Sequence, residues 1–382
     1  MILNTTLIPL SLYIHLPWCI RKCPYCDFNS HEIPEEIPEK AYIDRLIEDL
    51  TQELPLVPRR VIQTIFFGGG TPSLFSGEAI HQLLDKIQML IPFSPSVEIT
   101  LEANPGTVEA KRFRDFRAAG INRLSIGVQS FDDQQLKRLG RIHDSRQAMK
   151  AIEVAHTVGF NSFNIDLMYA TPHQTVAMAL DDIEKGIQLS PHHLSWYQFT
   201  LEPNTVFYKN PPVLPTENIM EEIETHGKAL LNSYGFQQYE ISAYAKPHYS
   251  CCHNINYWEF GDYLGIGAGA HGKITLDETQ TIIRTRKVKQ PKDYLDPTKQ
   301  MLAEQKTLTE SELIFEFMLN ALRLKKTTPF SLFETRTGLS KQLLLEKLNL
   351  ANEKGLLTYD DLSFCPTPLG WQFLNDLTGI FL

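Results

Sequence analysis

The chain has 382 residues, enough for two or three domains of ordinary size, or for one large barrel with an appendage. Its 43% hydrophobic and 21% charged residues are ordinary globular chemistry and exclude a disordered tail or a coiled coil. A formal charge of -9 excludes a global cationic field for nucleic acid or anionic lipid, and no apolar run reaches the roughly 18 residues of a membrane span.

The first residues, MILNTTLIPLSLYIHLPW, carry neither a basic leader nor a small-residue cleavage site, so the protein is expected to be cytoplasmic. Beyond them, short β-rich runs alternate with longer amphipathic stretches. The runs fall at residues 10–15, 64–67, 98–101, 123–128, 162–167 and 194–199, and helical spacing recurs near 38–54, 76–90, 107–119, 145–158 and 175–188. Gly120 and Gly159 sit where a helix would stop before the next strand. Parallel neighbours need such crossovers, so an α/β fold is expected: a partial (β/α)6 TIM-like barrel whose core spans 1–240.

The residues just past each strand matter most. The first strand leads into a cysteine cluster, the second into Gly68-Gly69-Gly70-Thr71-Pro72, the third into Glu102 and the fourth into Gln129; Asp166 lies near the end of the fifth. Barrels of this kind build their sites at the carboxyl ends of the strands, so five separated segments should converge on one pocket.

Residues 203–215 read as a proline-rich loop, followed by a helix at 217–234 and a strand-like YEISAY. An aromatic and glycine-rich segment, HNINYWEFGDYLGIGAGAHG, dominates 241–300, which is expected to complete the barrel. Residues 301–382 read as three helices, a short hairpin and a terminal helix, a small helical or winged-helix-like domain. Asp and Glu are frequent there, so a structural or lid role is expected rather than DNA binding.

Cys19, Cys23 and Cys26 have the spacing C-x3-C-x2-C, unlike the paired C-x2-C halves of a structural zinc site. Three thiolates leave a coordination position open, an arrangement that suits zinc or an iron-sulfur cluster in a catalytic setting. Trp18, Pro24, Tyr25 and Phe28 would wrap it in an apolar jacket. The bland alternative is three neighbouring buried thiols. Cys251 and Cys252 are adjacent, and neighbouring side chains on extended backbone point apart, so a free or buried thiol is expected there. Cys365 reads as a small buried hydrophobe. His15, His31, His143, His156, His173, His192 and His193 show no mutual ligand spacing and read as satisfied or exposed histidines.

The segment WCIRKCPYCDF resembles the signature of the radical S-adenosylmethionine superfamily. With YIHLPW, FFGGGTPS, LEANPG, RLSIGVQSF, LGRIH and DLMYATPHQT, it resembles in particular the branch of oxygen-independent coproporphyrinogen III oxidases and the related HemW-type heme chaperones. The resemblance implies a [4Fe-4S] cluster on Cys19, Cys23 and Cys26, with S-adenosylmethionine on its fourth iron. It also implies cofactor contacts from Tyr13, Gly69, Gly70, Thr71, Glu102, Gln129, Arg141 and Asp166, with the main chain near Tyr25 and Thr200 covering the adenine.

Within this branch three features lean toward the heme chaperones. Only 18 residues precede Cys19, Phe28 stands where the oxidases carry a fourth Cys, and His253, Asn254, Tyr257 and Trp258 match an HNxxYW motif associated with heme binding. The implied partners are heme, a heme-acceptor protein and a reducing electron donor. The alternative is the oxidase, which decarboxylates two propionates of coproporphyrinogen III to yield protoporphyrinogen IX.

Overall fold

The computed structural model describes residues 3–33, 35–107 and 110–382. Six strands, β1 (Leu10–Leu16), β2 (Ile62–Gly69), β3 (Phe93–Ala103), β4 (Arg123–Gln129), β5 (Ser162–Tyr169) and β6 (His193–Gln198), pair in parallel in chain order. Between them run α1 (Glu39–Glu53), α2 (Gly77–Leu90), α3 (Ala110–Ala118), α4 (Ser145–Val158) and α5 (Val176–Gln188). All six expected strands and five expected helices are present. The expected start of the third helix touches residues 108 and 109, which lie outside the described residues.

Local chemistry accounts for the boundaries. Leu10, Leu12, Ile14 and Leu16 of β1 turn to one face and Ser11, Tyr13 and His15 to the other, so the apolar set packs under the helices while the polar set lines the interior. Ser76 caps α2 through the Ala79 amide, and Asp144 forms a capping box with Gln147 at the start of α4. Gly159 ends α4 at φ 77, a left-handed conformation that costs glycine little.

Past β6 the sheet departs from a simple barrel. After α6 (Glu217–Ser233), YEISAY divides into β7 (Gln237–Glu240) and β8 (Ala243–Ala245), which extend the sheet antiparallel beyond β6. The chain then forms α7 (Cys252–Trp258) and returns as β9 (Asp262–Ile266), parallel to β1 on its free side. Antiparallel strands β10 (His271–Leu276), β11 (Thr281–Lys287) and β12 (Leu302–Thr307) come next. The result is one 12-stranded sheet, ordered β12-β11-β10-β9-β1-β2-β3-β4-β5-β6-β8-β7, and no pairing among the described residues joins its two ends.

The remainder folds as α8 (Glu310–Ala321), α9 (Phe330–Thr337) and α10 (Leu345–Glu353) with a three-stranded antiparallel sheet and two short terminal helices. Its core of Phe317, Phe333, Leu348 and Phe364 also takes in Phe260 and Ile282, so this unit packs directly on the segment after α7. Cys365 is only half-buried, in the hairpin.

Asp262 opens β9 fully buried between two cations, Arg60 at 2.9 Å and Lys273 at 2.9 Å, and accepts from Thr275 as well. The two cations hold its carboxyl below the usual range against the burial that would raise it. Removing one partner of a buried ion network strands the others. Asp262→Ala should therefore lower stability by about 3–5 kcal/mol in urea denaturation, and a loss under ~1 kcal/mol would show that Lys273 and Arg60 regain water.

Candidate functional site

The cluster loop leaves β1 at Pro17. Trp18–Cys19 pairs in parallel with His31–Glu32, so the turn carrying Cys23 and Cys26 is pinned at both ends. Each thiol has a polar partner: Thr71 Oγ1 donates to Cys19 Sγ at 3.4 Å, Arg141 Nη1 to Cys23 Sγ at 3.5 Å, and Ser30 Oγ lies 3.7 Å from Cys26 Sγ. Trp18 packs edge-on against Tyr42 at 4.7 Å and Tyr25 against Phe199 at 6.1 Å, as an apolar jacket requires. Phe28 departs from the expected jacket, standing 63% exposed because it faces a second, larger cavity.

All three thiols line a cavity of about 160 Å³. Among the described residues, no three His, Cys, Asp or Glu side chains are placed to hold a single metal ion. A four-iron cube is a different demand, because it takes its thiolates on separate irons spread around its corners. Burial raises the Cys19 and Cys26 thiols, so loading a cluster would release protons. The donor set, three thiols around one cavity with hydrogen-bond donors behind them, fits a [4Fe-4S] cluster.

The rest of this cavity fits a compact zwitterion carrying an extra positive charge. Gly69 turns at φ 112 against the His15 ring, and a Cβ on Gly70 would meet the Trp18 carbonyl oxygen at 2.6 Å, so side chains are kept out of the cradle. Glu102 and Asp166 face the same space. Burial and the Asp166 charge push Glu102 up to about 8. Asp166 accepts from Asn164 at 2.7 Å and Ser125 at 3.2 Å. Gln129, at φ 72, accepts from the Tyr197 hydroxyl at 2.7 Å. Arg141 is half-buried, donates to the Gly127 carbonyl at 2.7 Å, and its buried Nε has no partner among the described residues, as an arginine awaiting a carboxylate would be left.

Of the residues expected to contact the cofactor, Tyr25, Gly69, Gly70, Thr71, Glu102, Gln129, Arg141 and Asp166 all line this cavity. Tyr13 does not; it lines the neighbouring cavity and hydrogen-bonds His15 at 3.0 Å. Thr200 is exposed and turned onto Glu202 at 2.7 Å, one residue past the Phe199 that supports Tyr25. Ser125, Gly127 and Tyr197 join the lining without having been expected there. The period-2 alternation of β4, which already points Gln129 inward, places Ser125 and Gly127 on the same face.

The second cavity, of about 690 Å³, shares Phe28, Gly69 and Glu102 with the first. Its walls carry Tyr13, Tyr257, Trp258 and Tyr263 together with Lys22, His271, Arg284 and Lys289. The HNxxYW stretch reaches it as helix α7, whose start is capped by the Glu98 carboxylate accepting from the Cys252 and His253 amides at 3.1 and 3.0 Å. The structure brings Tyr257 and Trp258 to the wall and leaves His253 behind it, 1% exposed, with Asn254 half-buried off the wall. His253 Nδ1 meets Thr64 Oγ1 and Nε2 meets the Tyr257 hydroxyl, each at 2.8 Å, and burial pushes its pKa down to about 3. A motif read along the chain places four residues together; the helix sends them to different sides.

S-adenosylmethionine is a net cation, and if it occupies this cavity Glu102 would have to ionise to meet it. Its affinity should therefore climb by up to about tenfold per pH unit from about pH 6 to about 8 and level off above, in equilibrium dialysis with the reconstituted protein. Glu102→Gln should flatten that profile; an unchanged slope would remove Glu102 from the cofactor's charge balance.

Residues 13–185 match the Radical SAM superfamily and residues 308–373 the HemN C-terminal domain. The chain is 48% identical to a protein named heme chaperone HemW from Escherichia coli (strain K12), over 98% of both chains. It is 49% identical, over 98% of both, to one of the same name from Haemophilus influenzae. A third of that name, from Bacillus subtilis, is 34% identical over 97% of this chain and 99% of its own. Among solved structures, coproporphyrinogen III oxidase (HemN) from Escherichia coli superposes with a TM-score of 0.82 over 98% of this chain and 90% of that one, at 24% identity, a likeness of fold. With such identities over nearly its whole length, the chain belongs to the HemW family within the radical S-adenosylmethionine superfamily.

Proposed function

We propose that the chain binds heme in the larger cavity and passes it to an acceptor protein, with a [4Fe-4S] cluster on Cys19, Cys23 and Cys26 and S-adenosylmethionine in the smaller cavity beside them. The observation that carries this reading is the larger cavity itself: aromatic, basic, and opening onto the cluster loop at Phe28. Heme is a flat apolar ring with two carboxylates. Tyr13, Tyr257, Trp258 and Tyr263 offer it aromatic surfaces, while Lys22, Arg284 and Lys289 offer its carboxylates cations. The Trp258 indole N–H is buried without a partner among the described residues, a donor that a ligand oxygen would satisfy. The relatives named heme chaperones agree with this reading.

When bound, the cluster supplies an electron at low potential and an open iron for the cofactor. The chain's own residues hold and orient: Arg141 takes a carboxylate, Glu102 and Asp166 take positive charge or hydroxyls, and Tyr25 lines the cavity beside Cys23 and Cys26. A reducing electron donor would charge the cluster, and thiols kept for a cluster suit a reducing cytoplasm. No described helix is long and apolar enough to cross a membrane. The oxidase alternative has the shared fold and the match to the HemN C-terminal domain behind it.

Anaerobically reconstituted protein should bind one heme per chain and leave coproporphyrinogen III unconverted in the same vessel. Replacing Arg284 and Lys289 together by Gln should weaken heme binding by about tenfold or more, from the loss of charge-assisted hydrogen bonds worth ~1.5–3 kcal/mol each. Turnover to protoporphyrinogen IX would instead make the chain an oxidase.

A further inference from the structure

We infer that Tyr257, and not the histidine of the same motif, is the side chain that ligates heme iron, and that His253 is its positioning partner. The inference rests on the proposed heme binding in the larger cavity and names the ligand within it.

His253 is badly placed to reach a metal. It is 1% exposed, its ring lies on Phe66 at 5.1 Å, and both ring nitrogens are engaged. Turning it toward the cavity would strand the buried Thr64 hydroxyl and break the bond to Tyr257. Tyr257 stands between His253 and the open space, on the cavity wall and edge-on to Tyr263 at 4.5 Å.

The hydrogen bonds behind Tyr257 have a direction. Asn256 Nδ2 donates to the Asp262 carbonyl at 2.9 Å, which identifies it as the amide nitrogen, and it also donates to Ser11 Oγ at 2.8 Å. The Ser11 proton then goes to Thr64 Oγ1 at 2.7 Å, and the Thr64 proton to His253 Nδ1. That leaves Nε2–H of His253 donating to the Tyr257 oxygen. The phenol thus receives a hydrogen bond from behind and keeps its own proton for the cavity.

The two other tyrosines on the wall differ. Tyr13 spends its proton on His15 Nδ1, because His15 Nε2 donates to the Asn29 carbonyl at 2.8 Å. Tyr263 accepts from Arg284, a side chain also held by Glu316. Tyrosine oxygen is a known axial ligand for heme iron. On binding ferric heme, an O–Fe bond forms, the phenolic proton leaves to water in the cavity, and the Nε2–H bond from His253 persists on the phenolate.

The test is resonance Raman spectroscopy of the full-length reconstituted protein loaded with hemin, with and without ring-deuterated tyrosine. The wild type should show iron-bound phenolate bands that shift on deuteration. Tyr257→Phe should lose them and weaken hemin binding at least tenfold, whereas Tyr263→Phe should keep them. His253→Gln, which still donates an N–H, should keep the bands with faster hemin loss, and Tyr257→His should convert the spectrum to an imidazole-ligated one. Phenolate bands surviving in Tyr257→Phe, or a wild-type imidazole spectrum abolished by His253→Gln, would overturn the assignment. Wild type that fails to take up hemin would overturn the heme reading itself, and with it this one.

Discussion

Parallel pairing of β1 with β2 on one side and β9 on the other sets the position of everything that matters in this molecule. Leu16 lies opposite Gly69 and Ile14 opposite Ile266, so the cysteine loop, the glycine-rich turn and the turn after β9 emerge at one end of the sheet. Parallel strands share a direction, and their carboxyl ends therefore gather segments from distant parts of the chain. The buried Asp262, held between Arg60 and Lys273, anchors the β9 side of that arrangement.

Two cavities of different character meet along this rim. The smaller holds the thiols and sets Glu102 and Asp166 with Arg21 and Arg141 around them; the larger is aromatic and edged by cations. Glu102, Gly69 and Phe28 belong to both, so whatever occupies one cavity lies against the occupant of the other. Behind the acids runs a polar interior. Asp166 accepts from Asn164, Asn164 from His193, His193 from the Tyr239 hydroxyl, and Tyr239 from the Cys251 amide at the start of α7. Each donor in that series points toward the carboxylate, which holds Asp166 in place on the cavity wall.

Much of this was legible along the chain because the signals were local. The C-x3-C-x2-C spacing, the GGGTP turn and the acidic residues ending β3 and β5 each sit where a strand stops, and strand ends can be read from period-2 runs bounded by glycine. The larger cavity was not legible. It is assembled from Tyr13 on β1, Tyr257 on α7, Tyr263 on β9 and Arg284 on β11, and no spacing rule connects residues so far apart. His15 and His271 line the same cavity, and nothing in their local sequence marks them.

By itself, the sequence determined the three clustered cysteines, the order of the six βα units and the family, because each depends on short motifs or on periodicity within one element. The tertiary structure alone decided which side of α7 each motif residue faces. A seven-residue helix turns His253 into the core beside Thr64 and Phe66, and turns Tyr257 and Trp258 onto the cavity. That outcome depends on the strands the helix packs against, and hence on β9 returning to β1 across more than two hundred residues of chain.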